Sequence, residues 1–323
     1  MKRIAVIAIV LFVSSAWAQR RYSATGMVLN VDRERQRFVA SCQAIAGFMD
    51  AMSMPFEVRD SKELTGLVPG TLVDFSLVVD QTSAYAEHVQ IRRYETVEQD
   101  PWAARQLKLL SNLIGTSKPV PQPLRVGSVV PDFTLTDQSQ QKISLSQFAG
   151  KVVALNFIYT SCALPNYCFR ISNNFGVLQR TFKEDLGRNL VLLTVTFDPQ
   201  RDTPQVLAHY AQTWNADPKV WHFLTGTVPD VRRVTDIFNM EFFPDEGLMD
   251  HSLHTAIIGR DGKLIANIEG NRFTADQLVD LVATVLRDVH PQHIDSQAKP
   301  IHPNMPDSDE AKALLAPGRV LGK

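Results

Sequence analysis

The fold of this chain is indicated most directly by residues 152–168, VVALNFIYTSCALPNYC. The apolar, β-branched run from Val152 to Tyr159 predicts a buried strand, and helical spacing over 171–186 follows the second cysteine. Cys162 and Cys168 therefore lie at a strand-to-helix junction, where a helix N-terminus favours thiolate. Thiolate is the form that binds metals and also the form that attacks disulfides, so the residues alone leave both functions open.

Downstream of this junction, helix-like and strand-like segments alternate. They read as helix, strand, helix, strand, helix, hairpin and helix, at 172–186, 190–197, 204–214, 221–224, 228–238, 253–269 and 274–289. The hairpin turns at Asp261-Gly262, a pair that favours a type I′ turn, and Thr274 with Gln277 forms a capping box for the last helix. This order predicts an α/β sandwich of thioredoxin type.

A smaller unit precedes it. Short alternating segments separated by turn residues lie at 24–31, 36–40, 72–79 and 84–94, and they predict a small, OB-like closed β-barrel. The predicted organisation is a signal peptide, the barrel, a linker, the thioredoxin-like domain and a poorly ordered tail, at 1–18, 22–95, 96–125, 126–289 and 290–323. Within the linker we expect a short helix at 102–114 and a stiff, proline-rich piece at 118–123.

The N-terminus predicts export. Lys2 and Arg3 precede an apolar core at 4–13, and Ala16-Trp17-Ala18 is a small-x-small cleavage site. The core is too short to span a bilayer comfortably, so we expect a periplasmic protein without a membrane span after cleavage. An uncleaved N-terminal anchor is the alternative.

Composition narrows the function classes. A net charge of −1 argues against nucleic acid or an anionic membrane surface as the main partner. Three cysteines are too few for a disulfide scaffold. Two of them close together and one distant suggest a functional pair and an odd thiol, so we expect a Cys162–Cys168 disulfide after oxidation and an unpaired Cys42.

The segments at 131–135 and 148–153, followed by the cysteine segment, resemble the entry of redoxin-like thioredoxin folds. The run Asp198-Pro199-Gln200-Arg201-Asp202-Thr203-Pro204 and the segment Asp250-His251-Ser252 make the larger domain resemble the Sco/SenC family of copper-handling proteins. The resemblance implies copper binding, as Cu(I) and Cu(II), by Cys162, Cys168 and His251. One departure is the spacing: five residues separate the cysteines here, where the family usually has three.

Two neighbouring features are open at this stage. His254 competes with His251 as a ligand, although strand alternation would place the two on opposite faces. Thr203 before Pro204 is a good helix start, so Asp202 could belong to a cap, while Asp198 could orient or tune the metal loop.

The barrel carries its own metal signal. Residues 41–56, SCQAIAGFMDAMSMPF, resemble the CusF-like periplasmic copper-binding domain. That resemblance places Met52 and Met54 on two methionine ligands, Cys42 on a histidine ligand and Met49 on a capping tryptophan. Thioethers one residue apart point the same way along a strand and suit Cu(I), although methionines also fill barrel cores. Histidines in the tail, at 290, 293 and 302, and Met305 could scavenge metal, but scattered histidines in such a tail are more often simply solvated.

The resemblance implies a metallochaperone that delivers copper to, or reduces the copper-site cysteines of, a cytochrome c oxidase subunit or another cuproprotein. One alternative is a periplasmic thiol-disulfide oxidoreductase. Those enzymes usually have two residues between their cysteines and a proline before the facing strand, and both features are missing here. A peroxidase is disfavoured because Thr160 lies two residues before Cys162 instead of three. A copper-resistance buffer without a delivery partner is the remaining alternative.

Overall fold

The computed structural model describes residues 19–80, 83–92, 124–162, 164–245 and 248–287. The described residues do not include the predicted signal peptide, the predicted linker helix and proline-rich piece, or the predicted tail. Of the predicted linker, only residues 124 and 125 are described.

The N-terminal unit is a closed five-stranded barrel. Its strands are β1 (Arg20–Asp32), β2 (Arg37–Cys42), β3 (Met52–Val58), β4 (Leu72–Val79) and β5 (Ala84–Ile91). They pair in the order β1-β2-β3-β5-β4, with β4 returning to β1 and only β3–β5 parallel. The predicted small OB-like barrel is confirmed, with β3 as a fifth strand beyond the four alternating segments.

The barrel core is built on three aromatic rings. Phe38, Phe56 and Phe75 contact one another with centroid separations of 4.8–5.6 Å. All three are nearly fully buried, and burying a phenylalanine stabilises a fold by about 1.5–3 kcal/mol. This small unit therefore has a hydrophobic core of its own.

The larger unit is a seven-stranded mixed sheet with four helices. Its strands are β6 (Thr134–Asp137), β7 (Lys142–Ser144), β8 (Val152–Ile158), β9 (Leu190–Thr196), β10 (Trp221–Thr225), β13 (His254–Ile258) and β14 (Leu264–Glu269). A separate ribbon contains β11 (Phe242–Asp245) and β12 (Leu248–His251). The helices are α1 (Arg170–Thr181), α2 (Pro204–Thr213), α3 (Val228–Ile237) and α4 (Ala275–Arg287).

The sheet order is β14-β13-β8-β9-β10-β6-β7, with β8, β9 and β10 parallel and β13 antiparallel to β8. Every residue of β8 and β9 is buried, as expected for strands covered on both faces. The predicted thioredoxin-like sandwich is confirmed. Because the buried β8 ends at Ile158, the cysteine segment begins at the carboxyl edge of the sheet.

The turn of the β13–β14 hairpin differs from the predicted type. The backbone N–H of Gly262 donates to the carbonyl of Gly259, and Gly262 has φ +73°, whereas Asp261 keeps a negative φ. A type I′ turn needs positive φ at both central residues, so the prediction of that turn type was wrong. Five residues separate the strands, and a type I turn followed by a left-handed glycine fits that length.

The barrel packs directly on the larger unit. Three of its apolar side chains join the core of that unit: Met27, Leu29 and Leu72. A Cβ added at Gly70 would lie 2.9 Å from the Ala266 Cβ, so the two backbones approach closely at β14. Across the described residues, we find no helix with the length and apolar character needed to cross a membrane.

Candidate metal centre

Three donor side chains converge at the carboxyl edge of the sheet. One ligand atom from each of Cys162, Cys168 and His251 lies within 4.8 Å of the other two. Cys162 follows β8, Cys168 lies in the turn before α1, and His251 ends β12. Cys168 is 1% exposed and His251 8%, while Cys162 is only partly buried. The cluster therefore opens to solvent at one sulfur.

The wide cysteine spacing is accommodated by an unusual helical turn. Pro165–Phe169 forms a single wide turn of π type, and Tyr167 within it departs from helical geometry, with φ −108° and ψ −111°. Regular helix begins only at Arg170. The additional residues are taken up in this turn, and the two sulfurs still meet.

His251 is held in one orientation by its neighbours. Its Nδ1 lies 2.8 Å from the Ser252 carbonyl oxygen, and because a carbonyl only accepts, Nδ1 carries the proton. A neutral ring then has its lone pair on Nε2. The rings of Phe197, Tyr159 and Tyr167 surround the imidazole at centroid distances of 4.7, 5.6 and 6.2 Å. This setting leaves Nε2, with its lone pair, as the ring atom that could coordinate a metal.

The two thiols share one proton. The hydrogen bond from the Cys168 thiol lowers the pKa of Cys162 to about 4, against the effect of burial. The same bond raises the pKa of Cys168, together with its burial. Burial also raises the pKa of Tyr159, and the charge on Cys162 adds to that increase. Negative charge therefore resides on Cys162, the more exposed sulfur.

A buried carboxylate anchors the start of the cysteine segment. Asp202 has no exposed surface, and it accepts hydrogen bonds from the Thr160 N–H at 3.1 Å and from the hydroxyls of Thr160 and Thr196. Burial raises the pKa of Asp202, and these hydrogen bonds oppose that rise. Thr203 caps α2, whereas Asp198 pairs with a nearby arginine. The Asp-Thr-Pro run thus caps α2 and also, through Asp202, fixes the chain where it leaves β8. The sequence did not predict this second role of Asp202.

His254 lies outside the cluster. Its Nδ1 is 3.2 Å from the Asn267 Oδ1, and its buried Nε2 has no partner in the part of the chain that the structure describes. Burial lowers the pKa of His254 to about 4. The chain leaves regular strand geometry between His251 and His254, so strand alternation is not what separates them.

Three sulfurs of the barrel lie on two rungs of β2 and β3, one on each side of the Ser41–Ser53 pair. Cys42 is the direct partner of Met52, and Met54 is the partner of Ala40 on the same face. Cys42 is 2% exposed, and burial raises its pKa to about 12. Met54 packs against the barrel core, and so does Met49, which lies in the loop before β3. The strand register therefore brings three of the four predicted sulfur donors to one face.

The absence of a side chain at Gly26 leaves space for the sulfur of Cys42. It is the β1 partner of Cys42, and a Cβ built there would lie 3.1 Å from the Cys42 Sγ. Beside Met49, Phe48 stacks on Tyr22 with a centroid distance of 4.1 Å. An aromatic ring thus stands next to the position where the resemblance predicts a capping tryptophan. The tail histidines and Met305 lie beyond the described residues.

Comparisons with known proteins agree with this architecture. The SCO1/SenC family model matches residues 122–287, just over half of the chain. The chain belongs to the SCO1/SenC family. The model of the copper binding periplasmic protein CusF matches residues 21–91, which contain the whole barrel. Both predicted resemblances are confirmed.

Individual SCO1/SenC relatives have modest identity. A putative copper-binding protein of Stutzerimonas stutzeri is 30% identical over 43% of this chain and 68% of its own length. The matches to the next two curated relatives span 66% and 59% of those proteins. Yeast Sco1 with copper bound is 24% identical, covering 51% of this chain and 92% of that one, with a TM-score of 0.44. BsSco, described as a member of the Sco family of cytochrome c oxidase assembly proteins, is 24% identical, covering 52% and 98%, with a TM-score of 0.43.

Proposed function

We propose that this SCO1/SenC chain is an exported metallochaperone that binds copper through Cys162, Cys168 and His251. It delivers that copper to a cytochrome c oxidase subunit or another cuproprotein, or reduces the cysteines of the partner's copper site. The observation that carries the proposal is the convergence of two sulfurs and an imidazole nitrogen within 4.8 Å. Family membership and the relative described as a putative copper-binding protein support it.

The donor set fits copper. Two thiolate sulfurs suit Cu(I), and an added imidazole nitrogen also suits Cu(II). The hydrogen bond from the His251 Nδ1 to the Ser252 carbonyl is the kind of outer contact that fixes the tautomer of a ligating histidine. Three donors with one sulfur partly exposed form an open site, as exchange with a partner requires.

The barrel is proposed as a second copper site, made by Cys42, Met49, Met52 and Met54. Thioether and thiol sulfurs are soft donors that suit Cu(I), and the match to the CusF model supports this assignment. The thiol of Cys42 is protonated when no metal is bound, so binding through its sulfur releases that proton. The proposed compartment is the periplasm, from the pattern of the first 18 residues and this match.

The proposal is tested by His251→Ala, measured in two assays. Copper affinity, by competition with a chelator, should fall in the variant, above all for Cu(II), because one of three donors is lost. Reduction of a small disulfide should be largely kept, because thiolate attack needs only the two sulfurs. His254→Gln is the matched control and should keep wild-type affinity, because its ring lies outside the cluster. Unchanged affinity of His251→Ala for both copper states would remove the site from where we place it.

The second candidate function is a thiol-disulfide reductase. The low pKa of Cys162, with the Cys168 thiol in hydrogen-bonding reach, favours it, because an exposed thiolate beside a resolving thiol can attack a disulfide. If His251→Ala leaves copper binding intact and Cys162→Ser abolishes disulfide reduction, this candidate replaces the first.

A further inference from the structure

One carboxylate of the larger unit bridges two strands of the barrel. The hydroxyls of Ser41 and Ser53 both donate to the Asp280 Oδ2, at 2.7 and 2.6 Å. Ser41 on β2 and Ser53 on β3 are direct partners in the strand register. A single oxygen on α4 therefore joins both strands at the same rung.

The proposed sulfur donors of the barrel flank that rung. The pair Cys42 and Met52 is the next rung on one side, and Met54 lies on the next rung on the other side. Because side chains alternate along a strand, the sulfurs face one side of the β2–β3 pair and the two serines face the other. A copper ion held by the sulfurs would thus restrain the spacing of the two strands from one face, while the Asp280 carboxylate restrains the same spacing from the other face.

A second contact reinforces the docking. The Gln277 Nε2 donates to the Ser41 carbonyl at 3.0 Å, while its Oε1 accepts from the Thr274 N–H and completes the α4 cap. Gln277 is 2% exposed, so this double contact is closed to water. The strand end that carries Cys42 is therefore fixed to the first two turns of α4.

The same segment of the larger unit also contacts the cysteine turn. Asn271 donates to the Asn166 carbonyl, and Arg170 donates to the Phe273 carbonyl at 3.2 Å. Residues 271–280 thus lie between the two proposed copper sites and contact the elements that carry both.

We propose that Asp280 is a positioning residue for the barrel site: docking on α4 pre-organises the sulfurs of β2 and β3 and raises their affinity for Cu(I). This inference rests on the proposed copper binding by the barrel. Rigidifying a site in its bound geometry raises affinity by removing part of the cost of ordering it. Coupling of this kind is reciprocal, so Cu(I) in the barrel also tightens the contact with α4.

The test uses the full chain carrying Cys162→Ser and Cys168→Ser. These substitutions remove the two cysteine sulfurs of the larger unit, so that the titration reports Cu(I) binding by the sulfurs of the barrel. Cu(I) affinity is measured against a chelator for this parent and for Asp280→Ala. We expect a loss of about fivefold or more, the lower range of typical coupling between sites. Asp276→Ala, an exposed aspartate in the first turn of α4, is the matched control and should keep the parent's affinity. Asp280→Asn keeps a carbonyl acceptor for the serine hydroxyls, so its Cu(I) affinity should be much closer to that of the parent than the affinity of Asp280→Ala.

A second variant separates coupling from damage to α4. Ser41→Ala with Ser53→Ala removes the two donors from the barrel side, should lower affinity to the same extent, and should add nothing to Asp280→Ala. Amide hydrogen exchange supplies the reciprocal measurement: Cu(I) should slow exchange in α4 of the parent and leave it unchanged in Asp280→Ala. Protection confined to the barrel in both proteins would contradict the coupling.

The outcomes separate the two proposals. A parent that binds Cu(I) no better than its Met52→Ala, Met54→Ala version overturns the barrel site, and the coupling with it. A parent that binds, together with a folded Asp280→Ala of equal affinity, overturns the coupling and leaves the barrel site standing.

Discussion

Acid should destabilise this protein through one buried imidazole, that of His254. Burial lowers its pKa in the folded state from 6.5 to about 4, and a hydrogen bond with Asn267 opposes the shift. The unfolded chain therefore binds more protons than the folded chain between these two values. Stability must fall as the pH falls through that window, because protons favour the state that binds more of them.

The size of the effect follows from the pKa difference. Each pKa unit corresponds to about 1.4 kcal/mol, so a pKa of about 4 in place of 6.5 gives a total loss of about 3.5 kcal/mol, of which about 2 kcal/mol is already lost at pH 5. Burial of Asp202 and Glu269 raises their pKa values, which stabilises the folded state as pH falls. The contribution of His254 must therefore be isolated by difference.

The assay is urea denaturation from pH 7 to pH 4.5 for wild type and His254→Gln. Glutamine cannot titrate, so the stability difference between the two proteins should move by about 2 kcal/mol in favour of the variant as the pH falls. His209→Gln, at an exposed position of α2, controls for the loss of a histidine as such. A difference between wild type and His254→Gln that stays flat over this range would refute the assignment.

Three further predictions concern the sulfurs and their support. Mass mapping after mild oxidation should find a Cys162–Cys168 disulfide and a free Cys42; a dominant bridge from Cys42 would contradict the separation of the two sites. Gly26→Ala should lower the Cu(I) affinity of the barrel in a chelator titration, because the new Cβ would lie 3.1 Å from the Cys42 sulfur, and equal affinity would show that the sulfur does not need this space. Asp202→Ala should cost about 3 kcal/mol or more in urea denaturation, because it leaves buried donors unpaired, whereas a cost below about 1 kcal/mol would assign those donors to water.

The sequence predicted the architecture because its signals were local. The apolar run of β8, the capping box of Thr274 and Gln277, and the alternating segments of the barrel each reflect a periodicity or a cap within a few residues. The turn at Asp261-Gly262 shows the limit of such reasoning. The same pair serves two turn types, and the spacing of the strands decides between them.

The contacts that support the site could not be predicted in this way. Asp202 reaches Thr160 across 42 positions, and Asp280 reaches Ser41 across 239. Such pairs depend on how the sheet and the two units pack, which no local pattern encodes. The ring of Phe197 beside His251 is of the same kind, since it reads in the sequence as the end of an apolar strand.

The arrangement of the three donors also bears on how a copper ion would leave. Of the three, Cys162 alone is partly exposed, while Cys168 is buried in the helical turn and His251 is enclosed by aromatic rings. An incoming ligand from a partner can therefore approach the Cys162 side first. The raised pKa of Cys168 favours the same order, because Cys168 would be the sulfur that regains a proton if a bound metal were released. Under the proposed function, copper transfer and disulfide attack would both begin at Cys162, the most exposed of the three side chains. His251, which disulfide attack does not require, is the residue that separates the two functions by experiment.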